Sequence, residues 1–516
     1  LAHRISPYRI VKRQRIAARQ AMPDQYFANL GITRARLLAF EQQLQGTIVT
    51  PGDADYDKDR QVSNPAFQAF PKMICYCVVE NDVALCLQIA TDYQFWIAIR
   101  SGGHSTAGYS VNGGLVIDLS QMNGIVLNDS ETTVTVQPGC DFDTFNAALA
   151  PTGMHVPTGA CGNVCVGGFV QGGGYGYTSR MFGIQCDSVL AMRVMLANGD
   201  IVTADVNRNQ DLLWAMCGGT GGNFGVLLSV TYALSSLPSV WAYAISWPVE
   251  DAAAVLQMQQ AQFARSGAPP QLGYMMNVGF DPNGNPVALM QGMYCGDAAG
   301  GMAALQPLLN LGNAQLVANN SGAYGAMDQW LDSHPYSIPN NPPGSREDKV
   351  SGYLSAPLSV AGWQNVVDQF FNNVPSTSAL MYTEPYGGAI MSIPAGGNAF
   401  VHRQVDMNVV FETFWTGDDS GPSEQWLQNL QDQLPFIGEE VYQNYPRSSY
   451  TNYRYAYFGD AFHELWMIKM KYDPKGDFMY QQAIQDYPPG AALDPRAGGR
   501  RFADTPIVYT RPSGRM

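Results

Sequence analysis

Glycine is concentrated in three short segments between residues 101 and 225: SGGHSTAG at 101–108, CVGGFVQGGGYG at 165–176 and CGGTGGNFG at 217–225. Glycine reaches positive φ and lets backbone N–H groups come within hydrogen-bonding distance of a phosphate or a flat ring. A single cluster of this kind is ordinarily a tight turn. Three in so short a stretch imply a shared cause, a large anionic ligand lying on the main chain. Neither the G-x-G-x-x-G spacing of a Rossmann dinucleotide site nor the GxxxxGK[ST] of a P-loop is present, so an ordinary NAD site and a P-loop NTPase both lose support.

The rest of the chain must supply a core and a second binding surface. At 516 residues it predicts two or three packed units, and 46% hydrophobic residues place it far from disorder. Acidic residues outnumber basic ones 43 to 29; a net negative chain repels phosphate backbones, which argues against a nucleic-acid partner. The basic cluster at residues 1–20 reads as a solvated terminal segment. No run of about 18 apolar residues predicts a membrane span. The absence of an initial Met suits removal of a leader peptide or trimming, so an exported location is expected, or a cytoplasmic one for a biosynthetic enzyme. The nine cysteines are an odd number without zinc spacing, so at least one stays outside any intramolecular disulfide set and no metal site is expected.

From residue 76 to 117 the pattern reads strand (CVVE), helix (NDVALCLQIATDY), strand (FWIAIR), glycine turn, strand (LVIDL). Further on come a strand VTVQPG, a helix DFDTFNAALAPTG and MRVMLANGDIVTA, whose Asn-Gly-Asp is a hairpin signal. Beyond about Leu237 glycine thins and strands alternate with amphipathic helices such as VAGWQNVVDQFFNN. The expected fold is α+β, with a cofactor domain over 1–237, a substrate domain of antiparallel sheet covered by helices over 238–446, and a return to the cofactor domain over 447–516, ending in an arm from Tyr487.

Several motifs in order, RSGGHSTAGYS, PTGACGNVCVGGFVQGGGYGYTSRMFGIQCDSV, DLLWAMCGGTGGNFGV, EPYGGAIM followed by FVHR, and KYDPKGDFMYQQAI, resemble the berberine-bridge-enzyme-like branch of the vanillyl-alcohol-oxidase flavoproteins. The resemblance runs from about Gly46 to Ile484. It implies FAD bonded through its 8α-methyl group to a histidine and through C6 to a cysteine, here His104 and Cys161, whose imidazole and thiolate are suitable nucleophiles. It implies that Arg100, Ser101, Gly102, Gly103, Ser105, Val164, Gly167, Gly168, Gly172, Gly173, Tyr175, Gly176, Gly222, Asn223, Gly225 and Asn452 contribute to holding the cofactor. Two tethers would leave room for a wide groove and an oligosaccharide, polyol or natural-product alcohol.

Two positions depart from the family pattern after Cys161. Cys165 replaces a glycine, as a competing thiol or a small buried residue. Phe169 replaces a histidine that supports the flavin in relatives. Val164 stands where relatives control oxygen access, and its small size resembles the oxidases, so O₂ is the expected electron acceptor. Hydride transfer from an alcohol needs a base near the hydroxyl. The resemblance offers Tyr450, in a Tyr-x-Asn-Tyr motif with Asn452, and Tyr175 in GGGYG. Period-two alternation in MNVVFETFW puts Asn408, Val410, Glu412 and Phe414 on one face, making Glu412 a candidate base or a partner of Tyr450; Tyr382 and Glu384 are weaker candidates. The resulting expectation is an oxidase that takes hydride from an alcohol carbon of a carbohydrate or polyol and yields H₂O₂. A tailoring oxidase or oxidative cyclase, and a non-catalytic flavin-bearing binding protein, are the alternatives.

Overall fold

Asp82 sets the first turn of the fold. Its carboxylate accepts backbone N–H groups from Gln45 (2.7 Å), Gly46 (3.0 Å) and Val78 (3.0 Å), which closes the chain into a helix, Glu80–Tyr93. The strand expected at CVVE therefore lies earlier, at Met73–Tyr76. In this computed structural model, which describes residues 7–264, 267–333, 342–394 and 396–485, the expected arm from Tyr487 lies outside the described residues.

The molecule is α+β, built on three principal sheets. The first has spatial order Thr47–Val49, Met73–Tyr76, Leu115–Asp118, Ile97–Arg100, with the last three strands parallel. The second is antiparallel, in the order Ile125–Leu127, Thr133–Val136, Val226–Ala233, Val189–Met195, Ile201–Asp205. Its last two strands form the hairpin that Asn198-Gly199-Asp200 predicts, with Gly199 at φ +87°, a value that L side chains rarely adopt. The third is a seven-stranded antiparallel sheet: Gln315–Gly322, Val240–Pro248, Pro286–Tyr294, Leu272–Phe280, Leu380–Pro385, Met407–Trp415, Arg346–Leu354.

Alternation along Met407–Trp415 divides the large sheet into two faces. Met407, Val409 and Phe411 join a core with Trp363 and Trp426 from the helices Val360–Phe371 and Gly421–Gln433. Each fully buried aromatic of this kind contributes about 2–3 kcal/mol of transfer free energy. The opposite face, with Glu412 and Phe414, is turned toward the glycine-rich loops.

After this sheet the chain rejoins the core of the second sheet. Val441 and Tyr442 already pack there, followed by Tyr457, Phe462 and Leu465. The buried Lys469 ammonium then pins the closing segment: it donates to the carbonyls of Asn223 (2.6 Å) and Phe478 (2.7 Å) and pairs with Asp473. Among the described residues of the basic N-terminal segment, Arg15 and Arg19 are not solvated. The helix Pro7–Gln20 lies on the body, and Arg19 is buried against Glu41 and Asp53 while Arg15 pairs with Asp55. Their carboxylate partners explain the difference, because a cation so paired can leave water. Among the described residues no helix is long and apolar enough to cross a membrane.

Candidate active site

A cavity of about 1590 Å³ lies between the glycine loops and the exposed face of the seven-stranded sheet. That exceeds the roughly 300–1,000 Å³ of an ordinary small-molecule pocket, leaving room for a dinucleotide and a second molecule. All three glycine clusters reach it, through Ser101, Gly102, Gly103 and Ser105, through Gly167 and Gly168, and through Gly222 and Gly225. Gly168 has the barest main chain: a Cβ there would meet nothing within 4 Å. Gly103 and Gly222 have φ of +75° and +72°. This wall of main chain fits a phosphate-bearing cofactor with a flat ring.

His104 and Cys161 line the same cavity, together with Val164, Cys165 and Phe169. Burial lowers the pKa of His104, against the opposing effects of Glu347 and the Asn163 backbone, so its imidazole is held neutral and able to act as a nucleophile. Cys161 is the exposed cysteine among the nine. It opens on the cavity yet sits deep in the molecule, and desolvation, with Asp332 nearby, pushes its thiol to about 12. Of the two, His104 is electrostatically ready to attack and Cys161 is not. Cys165 turns its sulfur toward Gly102 and the Gly139 carbonyl, at 3.5 Å. Phe169 packs edge-on against Phe142, with centroids 4.7 Å apart.

Several residues expected at the site lie elsewhere. Arg100 is buried in an ion pair with Asp118 (2.5 Å), its neighbour across two parallel strands. Gly172, Gly173 and Gly176 do not line the cavity; they permit close packing, and a Cβ on them would strike Asn444, Phe400 and the Thr158 carbonyl at 2.0, 2.7 and 1.8 Å. Asn223 braces the closing segment through Tyr480 and Ile484. Tyr450 is buried away from the cavity with its hydroxyl accepting the Ser351 N–H (3.3 Å), and Asn452 is exposed, donating to the Gly438 carbonyl. Glu412 does line the cavity, but it pairs with Lys349, its neighbour across the strands, rather than with Tyr450.

The motif Tyr-x-Asn-Tyr occurs twice, at 442–445 and at 450–453, and the first copy is the one that borders the cavity. The Tyr442 hydroxyl accepts N–H groups from Gly174 (2.9 Å) and Tyr175 (3.1 Å). Asn444 donates to that hydroxyl (3.0 Å) and to the Phe169 carbonyl (2.9 Å). Tyr445 instead donates to Glu384 Oε1 at 2.6 Å, while Asn408 donates to Oε2 at 2.8 Å. Burial raises the Glu384 carboxyl to about 7, against the lowering effect of these two hydrogen bonds. Tyr175, which also lines the cavity, spends its proton on the Pro385 carbonyl (2.8 Å). Tyr445 is thus the cavity-lining tyrosine seen to direct its proton onto a titratable group.

A cavity of this size walled by main chain fits an FAD-dependent oxidoreductase, and comparison with known proteins points to that class. Residues 71–205 match the family model of an FAD-binding domain, and residues 441–485 match the one described as berberine and berberine like. The FAD-linked oxidoreductase YvdP of Bacillus subtilis, itself uncharacterized, is 29% identical over 86% of this chain and 98% of that protein. A carbohydrate oxidase of Microdochium nivale is 26% identical over 88% and 96%. The structure of wild-type BBE-like 1 from Physcomitrella patens superposes with a TM-score of 0.77 at 22% identity, covering 87% of this chain and 99% of that one. In the two matched segments and in overall fold the chain is similar to the berberine-bridge-enzyme-like FAD-linked oxidoreductases.

Proposed function

We propose that the protein oxidises an alcohol carbon of a saccharide or related polyol, with FAD held covalently by His104 and Cys161. The observation that carries this reading is the Tyr445–Glu384–Asn408 chain opening on the cavity. His104, Cys161 and the glycine loops would hold FAD, which would supply the hydride acceptor and, with O₂ as the final acceptor, the route to H₂O₂. The protein's own residues supply the proton path. Removing hydride from a carbinol carbon leaves its hydroxyl proton to be accepted in the same event. Burial raises the Tyr445 phenol well above its ordinary value, so it is a poor base by itself. Glu384, at about 7, is matched to the task. The Tyr445 hydroxyl therefore takes the substrate proton while handing its own to Glu384, and Asn408 keeps the second carboxylate oxygen in place. Lys349, within 5.0 Å of the Tyr445 ring, places a cation beside this path. The saccharide assignment is supported by the likeness to the Microdochium nivale carbohydrate oxidase, and by the span of the cavity.

Glu384 must be ionised to accept the proton, so flavin reduction should rise with pH through a midpoint near 7 and fall below it. In anaerobic stopped-flow reduction by the best saccharide of a panel, Glu384→Gln should slow bleaching by at least about 100-fold and abolish that pH dependence. A variant that bleaches at the wild-type rate with the same profile would remove Glu384 from the mechanism. A yellow protein that no saccharide or polyol bleaches would overturn the substrate class.

A further inference from the structure

Lys349 is the sole lysine on the cavity among the described residues, and no arginine lines it there. The Lys349 charge is already matched by Glu412. The same cavity is lined by Asp332, at the end of the helix Tyr324–Ser333, and by Glu347, on the strand Arg346–Leu354. Among the described residues no cation forms an ion pair with either. Glu347 acts electrostatically on His104 and on Lys349, and Asp332 on Cys161. Behind Asp332 lie more acids rather than a counter-ion: Asp328, buried one helical turn earlier with Oδ1 unpartnered, and Asp143 from the helix Phe142–Leu149. Burial and Asp143 bring Asp332 to about 6, so it is ionised in neutral solution.

We propose that Asp332 and Glu347 select substrate by charge, so that the site accepts neutral and amine-bearing saccharides and rejects those bearing a carboxylate. This rests on the saccharide reading and deepens it. A uronic acid entering the cavity would bring its charge toward two carboxylates and find the one lysine among the described lining residues already paired with Glu412, an arrangement that penalises like charge. Hydroxyl groups and ammonium groups find acceptors on the same residues.

The test is the kcat/KM of the flavin-bearing enzyme for three disaccharides of one linkage, neutral, amine-bearing and uronic, at about pH 7.5 and low salt, where Asp332 is charged. The uronic sugar should be oxidised at least about tenfold less efficiently than the neutral one, and the amine-bearing sugar at least as well as the neutral one. Asp332→Asn and Glu347→Gln should each narrow the neutral-to-uronic ratio, and together bring it within about threefold. Because the ratio is taken within one preparation, a lower yield of active variant does not alter it. Should the variants not fold, raising the salt on the wild type should narrow the same ratio by screening. Equal efficiency for neutral and uronic sugars, or a ratio that survives both the double substitution and high salt, overturns charge selection and leaves saccharide oxidation standing. Failure of all three sugars to reduce the flavin overturns both.

Discussion

The two walls of the cavity are made of different material. On one side the chain presents main chain, through Gly102, Gly103, Gly168 and Gly222. On the other the seven-stranded sheet presents side chains in register, with Lys349 opposite Glu412 and Glu384 opposite Asn408. A backbone wall recognises what any phosphate or flat ring offers and is indifferent to side-chain identity except where a Cβ intrudes. A side-chain wall is specific at each position and can be retuned one residue at a time. The first suits a fixed cofactor and the second a variable substrate.

Removing a group should hurt the sheet wall, and adding one should hurt the glycine wall. The largest effect is expected from Tyr445→Phe, which cuts the proton path and should slow anaerobic flavin reduction about 100-fold while the flavin content stays constant. Gly168→Leu should act oppositely. Its side chain projects into the open cavity and a helical glycine is replaced by a better helix former, so the protein should fold but carry about tenfold less flavin, read from its visible absorbance per mole of chain. The smallest effect is expected from Tyr450→Phe. This residue belongs to neither wall, and losing one buried hydrogen bond to Ser351 should cost about 1 kcal/mol in urea unfolding, with bleaching within about twofold of wild type. A Tyr450→Phe rate as low as that of Tyr445→Phe would mean that the two copies of the motif had been assigned in the wrong order.

The sequence reveals the glycine wall far better than the sheet wall, and the reason is physical. Glycine clustering is a local property, so the segments around His104 and Cys161 can be recognised without knowing what packs against them. Alternation along Met407–Trp415 likewise identifies its two faces. Cross-strand partners are not local. Glu412 meets Lys349 and Glu384 meets Asn408 only because sheet order and register bring distant strands together, and no spacing along the chain encodes that. The two Tyr-x-Asn-Tyr copies are too alike for pattern to separate them; what distinguishes them is that Asn444 fits over Gly172 while Asn452 faces solvent. Arg100 misleads for a related reason. It adjoins the histidine motif, but its strand turns the side chain toward Asp118.

The Lys469 clamp has a consequence for how the enzyme comes into being. It ties the closing segment to the loop that holds Gly222 and Gly225, and Tyr480 from that segment lines the cavity beside residues from positions 101–108. No emerging portion of the chain that stops short of about residue 480 contains a whole site. Because synthesis proceeds from the N-terminus, the compartment for the flavin is completed only after the segment around residue 480 has been made, and cofactor capture by the whole cavity waits for that segment.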